Sequence, residues 1–181
     1  MRRSGIAVLA LSAVVGLGLG GCSKDSAAAL PQADPKKAAT ELQAGLTAQN
    51  KGDLDGATQH YQESLKFDPK NKYALYNLAL VDATQANYGQ AEKKYRVVIG
   101  IDPAYTPALF NLAILRKNSG DTAEATGLYR KLLAVNPKDA AAHMNLGLLL
   151  RATGQKADGD AEVRQAMTLN PQLKDPAAGK K

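Results

Sequence analysis

Four Asp/Asn-Pro dipeptides recur along the chain at a fixed interval. Asp68-Pro69, Asp102-Pro103, Asn136-Pro137 and Asn170-Pro171 each follow the one before by 34 residues. A period of this length marks a supersecondary unit that cannot bury its apolar face alone and must stack on copies of itself. Aligned on the prolines, the units are 38–71, 72–105, 106–139 and 140–173. Proline cannot donate to a helical ladder and disfavours helix in the residue before it, so a helix ends at each dipeptide. Gly52, Gly120 and Gly154 stand mid-unit, where left-handed backbone is accessible to glycine and breaks the unit into two helices. Composition agrees: aromatic residues are 5% of the chain and Trp is absent, which suits helices packed through Ala and Leu and disfavours a β-sandwich.

Other columns of the alignment are equally regular. The eighth position reads Gly45, Ala79, Ala113 and Gly147, and the twentieth Ala57, Ala91, Ala125 and Gly159. The twenty-fourth reads Tyr61, Tyr95, Tyr129 and Val163, and the thirtieth Phe67, Ile101, Val135 and Leu169. Small residues at eight and twenty let the paired helices approach closely, and the tyrosines fill the space between hairpins. These columns resemble the tetratricopeptide repeat across residues 38–171. The resemblance implies an all-α fold, a right-handed superhelix (α-solenoid) of four helix-turn-helix units, after a signal peptide and flexible tether. Two departures stand out. The family's aromatic at position four is replaced by Glu41, Leu75, Leu109 and His143. In the fourth unit Gly159 and Val163 replace Ala and Tyr, so its second helix is expected to be the loosest element, weakened by about 1 kcal/mol on propensity.

The first 21 residues read as an address. Arg2 and Arg3 precede an uncharged stretch from Gly5 to Gly21 with an apolar run at Ile6–Leu11, the charged and apolar regions of a secretory signal. Leu19-Gly20-Gly21-Cys22 resembles the bacterial lipoprotein signal, which implies a diacylglycerol and acyl lipid on Cys22, the chain's single cysteine. Ser23 after it implies delivery to the outer membrane where the organism has one. Residues 22–37 are the lipidated Cys and a flexible linker rich in Ser, Ala and Pro, and 172–181 form a polar tail. The predicted location is extracytoplasmic and lipid-anchored.

The formal net charge of +6 disperses along the chain; block 38–171 holds fifteen Lys/Arg against fourteen Asp/Glu. A near-neutral block predicts no basic face, and nucleic acid is not expected as a partner. One Cys and two His leave little for metal or thiolate chemistry. His60 is expected at the surface of a second helix, and His143 in a packing role. The zinc-type, nucleophile-elbow and phosphate-loop motifs are absent, so no catalytic residue, no metal site and no cofactor beyond the lipid is expected; the protein is not expected to be an enzyme.

The resemblance places ligands on the inner surface lined by the first helices of the hairpins. There it assigns peptide contacts to Tyr73, Tyr76, Asn77, Phe110, Asn111, Ile114, Lys117 and Asn145. Asn77, Asn111 and Asn145 share position six, and a side-chain amide can pair with a peptide unit or bond within its own hairpin. Tyr76 and Phe110 either anchor apolar ligand residues or pack on a neighbouring helix. Lys117 and Arg151 either steer an acidic peptide or form a solvated face. Leu42, Leu46, Pro107 and Asn111 occupy positions where the family's terminal-carboxylate clamp has Lys, Asn, Lys and Arg, which disfavours that subclass. The expected function is an adaptor or assembly scaffold in the bacterial cell envelope that binds a protein segment in its groove. The alternative is a structural envelope protein that self-associates through an uncapped last repeat.

Overall fold

The computed structural model describes residues 33–177, so the signal region and the lipidation site at Cys22 lie outside the described residues. Eight α-helices follow one another: α1 Pro35–Asn50, α2 Leu54–Phe67, α3 Lys72–Thr84, α4 Tyr88–Ile101, α5 Thr106–Asn118, α6 Thr122–Val135, α7 Ala140–Ala152 and α8 Lys156–Leu169. Helices pair as α1/α2, α3/α4, α5/α6 and α7/α8, and neighbouring pairs meet through α2/α3, α4/α5 and α6/α7. This is an all-α solenoid of helix-turn-helix repeats. No helix among the described residues is long and apolar enough to cross a membrane.

Each Asp/Asn-Pro dipeptide both stops a helix and builds the turn after it. The carboxyl or amide oxygens of Asp68, Asp102, Asn136 and Asn170 accept the backbone N–H two residues on, at 3.2, 3.0, 3.3 and 3.1 Å. Asn71 and Asp139 then cap the following helices, accepting from Ala74 N and Ala142 N at 3.1 and 2.8 Å, which satisfies N–H groups a helix start leaves orphaned. Helix α1 begins earlier than the repeat register requires. Asp34 accepts from Lys36 N and Lys37 N and Pro35 sits in the first turn, a favoured start that draws the last residues of the 22–37 linker into the helix.

Glycine at φ +80°, +87° and +85° makes the mid-unit turns at Gly52, Gly120 and Gly154. The second unit has no glycine there, and Ala86 takes φ 60° instead. The core repeats with the period. Tyr61, Tyr95 and Tyr129 are fully buried, as are Ala57, Ala91, Ala125, Leu109 and Leu132.

The fourth hairpin departs from expectation. Gly147 of α7 and Gly159 of α8 face each other so closely that a Cβ on either would fall 2.8 or 2.6 Å from the other's carbonyl oxygen. The helix that propensity marks as weak is packed backbone to backbone, because the missing side chains allow the approach. The end of the stack is also not bare. Arg151 grips both carboxylate oxygens of Asp175 at 2.7 and 2.9 Å and reaches Asp160 at 2.6 Å, which ties the C-terminal segment to the last hairpin.

Candidate functional site

Helices α3, α5 and α7, the first of their hairpins, carry the residues that the sequence assigns to a ligand. Two adjoining depressions lie along them. One, of about 380 Å³, is lined by Tyr76, Thr106, Pro107, Phe110, Asn111, Asp139 and Ala141. The other, of about 280 Å³, involves Leu80, Ala83, Thr84, Tyr88, Ile114, Leu115 and Asn118. Asn111 lines both, so one amide stands at the junction of two shallow sites.

The aromatic residues form a connected wall. Tyr105 stands edge-on to Tyr73 and Tyr76, with ring centroids 6.0 and 5.3 Å apart, and Tyr76 leans on the buried Tyr95 at 5.9 Å. Phe110 meets Tyr129 edge-on at 5.8 Å. Tyr76 and Phe110 are thereby partly buried, each against a tyrosine of a second helix, and Phe110 in the favoured edge-to-face geometry. Tyr73 is the open member of the wall, 49% exposed. Lys72 places its ammonium over the rings of Tyr73 and Tyr105 at 5.2 and 5.3 Å while holding Asp102 at 2.6 Å. That hydrogen bond pulls the Asp102 carboxyl below its ordinary value and raises Lys72.

The three asparagines are differently engaged. Asn77 and Asn145 donate to Tyr73 O and Ala141 O, one turn back on their own helices, at 2.8 and 2.9 Å. Asn111 instead donates to the Tyr76 hydroxyl at 3.0 Å, a bond across two repeats. Burial pushes the Tyr76 hydroxyl up from 10.0, against the pull of Asn111, so it stays protonated and accepts. Lys117 donates to Asn145 Oδ1 at 3.4 Å. In each case one amide hydrogen remains for a ligand, and the carbonyl oxygens of Asn77 and Asn111 accept no protein hydrogen bond among the described residues.

Arg151, expected beside Lys117 as a groove cation, is instead held by Asp160 and Asp175. Its charge is neutralised at the end of the stack. His143 is a structural clip, with Nδ1 at 2.5 Å from Glu162 and Nε2 at 3.0 Å from Pro137 O. His60 makes the mirrored pair with Glu41 at 2.8 Å: in the first hairpin the carboxylate is on the first helix, in the last it is on the second. Tyr105, Tyr88 and Thr106 are site residues that repeat-position reasoning misses, because they fall at unit boundaries and turns. The density of tyrosines between 73 and 105 was the available signal.

Residues 110–171 match a family model described as a tetratricopeptide repeat, and residues 50–85 match a second described as a TPR repeat. The chain belongs to the tetratricopeptide repeat family. Among curated proteins none matches it. Solved structures do, at the level of fold. MamA from Desulfovibrio magneticus RS-1 superposes with a TM-score of 0.69 at 20% identity, covering 76% of this chain and 77% of that one. A Pseudomonas aeruginosa pilF structure gives 0.67 at 21% identity over 76% of this chain and 63% of the other. The first TPR of Spaghetti (RPAP3), bound to the HSP90 peptide SRMEEVD, gives 0.63 at 22% identity over 67% and 97%.

Proposed function

We propose that this tetratricopeptide protein is a lipid-anchored adaptor of the bacterial cell envelope. In this reading Cys22 carries the diacylglycerol and acyl chains, the chain is held on the extracytoplasmic side of a membrane, and a peptide segment of an envelope protein lies along α3, α5 and α7. The observation that carries the peptide reading is the position of Asn111 between two depressions, walled by Tyr76 and Phe110 and continued by Asn77 and Asn145. Amides with open donors and acceptors beside aromatic edges suit an extended backbone with apolar side chains. Tetratricopeptide stacks are in general non-catalytic interaction scaffolds, and the tethering would raise the partner's local concentration. Leu42 and Leu46 keep a terminal-carboxylate clamp from forming, so the segment is bound internally rather than by its end.

The test is affinity capture from solubilised envelope with residues 23–181, against an Asn77→Ala/Asn111→Ala bait of equal helicity and melting. Partners retained by the first and lost by the second support the groove; identical partner sets overturn it. Palmitate labelling tests the anchor on its own, and labelling undiminished in Cys22→Ser removes it. One observation favours a second reading. Met167 is 37% exposed at the position where Leu65, Ile99 and Leu133 pack on the core, so a second copy could cover the last repeat. Sedimentation giving a monomer mass independent of concentration would dismiss that reading.

A further inference from the structure

The second helices α4, α6 and α8 carry a face that the charge count conceals. Positions 22, 25, 26 and 29 of their repeats hold Lys93, Arg96, Arg130, Lys131 and Arg164 and no Asp or Glu. All five cations are exposed. Lys93, Arg130, Lys131 and Arg164 make no ion pair among the described residues. The acidic residues that balance them in number are drawn into seams elsewhere. Glu92, Asp121 and Glu124 surround Arg116 at 2.8–3.0 Å, Glu92 and Glu124 also hold Arg96 at 2.9 and 2.7 Å, and Asp82 holds Lys94 at 2.6 Å; Arg96 is thus the neutralised member of the five. A near-neutral count along the chain therefore still leaves four cations on these helices without an ion pair among the described residues.

Aliphatic side chains stand one helical turn from these cations. Val97 follows Lys93 and Val135 follows Lys131 by four, which places each beside its cation on the same face. Their exposures are 49% and 48%.

We propose that this outer face docks on an anionic lipid bilayer. Charge complementarity selects a negative surface, since cations beside such a surface each add attraction that falls off within a Debye length. The interleaved aliphatic residues select lipid over nucleic acid: they fit the boundary between headgroups and acyl chains, whereas single-stranded nucleic acid is gripped by stacked aromatic rings, and the exposed ring of the tyrosine wall, Tyr73, stands on α3. Docking by α4, α6 and α8 would leave α3, α5 and α7 turned toward a partner. The inference depends neither on the groove nor on Cys22.

Residues 23–181, which lack both the basic and apolar start and Cys22, are mixed with vesicles of pure phosphatidylcholine and with vesicles containing 30% phosphatidylglycerol, and bound protein is measured by sedimentation. Partitioning is expected to rise about tenfold or more with the anionic lipid and to decline steeply with salt. The Lys93→Gln/Arg130→Gln/Lys131→Gln/Arg164→Gln variant is expected to lose that rise. A control with Lys51→Gln, Lys70→Gln, Lys138→Gln and Lys174→Gln removes as many exposed cations elsewhere and is expected to keep it. Four results overturn the proposal: no anionic enhancement, enhancement insensitive to salt, enhancement kept by the first variant, or equal loss in both. So does binding of an oligonucleotide by protein that ignores both vesicle types. The salt series on the unsubstituted face decides the matter even where a variant fails to fold.

Discussion

Gly147 and Gly159 touch backbone to backbone across the last hairpin: a Cβ built on Gly159 would stand 2.6 Å from Gly147 O and 2.9 Å from Arg151 N. Helix propensity alone says that Gly159→Ala should stabilise α8 by about 1 kcal/mol. The contact reverses the sign, because backbone atoms cannot rotate away as a side chain can. Gly159→Ala is expected to lower the melting temperature, with an overpacking penalty of about 1–3 kcal/mol. A melt showing stabilisation would mean the helices are not this close.

Ala86 offers the opposite case. It holds φ 60° with its Cβ in place, where the equivalent turns use glycine. Left-handed backbone costs an alanine about 1–2 kcal/mol, partly offset in Ala86→Gly by the greater freedom of the unfolded chain. A net gain of about 0.5–1 kcal/mol is expected, read as a rise in melting temperature of a few degrees.

The buried tyrosines separate by their hydroxyls. Tyr61 donates to Gln49 at 2.6 Å, while the Tyr129 hydroxyl is buried with no hydrogen-bond partner among the described residues and burial pushes it up to about 12. Repeat three has Lys117 where repeat one has the accepting Gln49. Tyr61→Phe is expected to destabilise by about 0.5–1.5 kcal/mol and Tyr129→Phe to be neutral or stabilising. Chemical denaturation of both variants checks the contrast, and equal losses would refute it.

The C-terminal segment should be acid-labile. The Arg151 guanidinium, with help from Ala177 N–H, holds the Asp175 carboxyl down to about 2, against 3.8 for the free group. A depressed carboxyl stabilises the folded form above its unfolded value and loses that contribution as pH falls through the folded one. The tie is therefore complete above pH 4 and fades towards pH 2. Protection factors of amides near residues 172–177, corrected for the intrinsic exchange rate at each pH, are expected to fall over that window in the natural chain. In Asp175→Asn they should be low throughout.

The repeat and the helices were legible because each rests on local chemistry. Asp/Asn-Pro stops a helix wherever it occurs, glycine at 52, 120 and 154 takes positive φ without a neighbour's help, and a column of Tyr at fixed spacing has to fall on one face. That the candidate ligand residues share α3, α5 and α7 was legible for the same reason, since a period maps positions onto equivalent helices. Their hydrogen bonds were not: nothing in the spacing of Asn77, Asn111 and Asn145 distinguishes the amide that reaches Tyr76 from the two that turn back on their own helices.

The linear sequence by itself thus determined the architecture, through signals that act within one turn or one period of the chain. Tertiary structure decided what depends on which distant groups meet. Packing turned Gly159 from a weakness into a contact, removed Arg151 from the groove by giving it Asp175, and gave Arg116 three carboxylates while leaving Lys93, Arg130, Lys131 and Arg164 without an ion pair among the described residues. Charge and contact are pairwise properties of positions in space, and a count along the chain carries no distances.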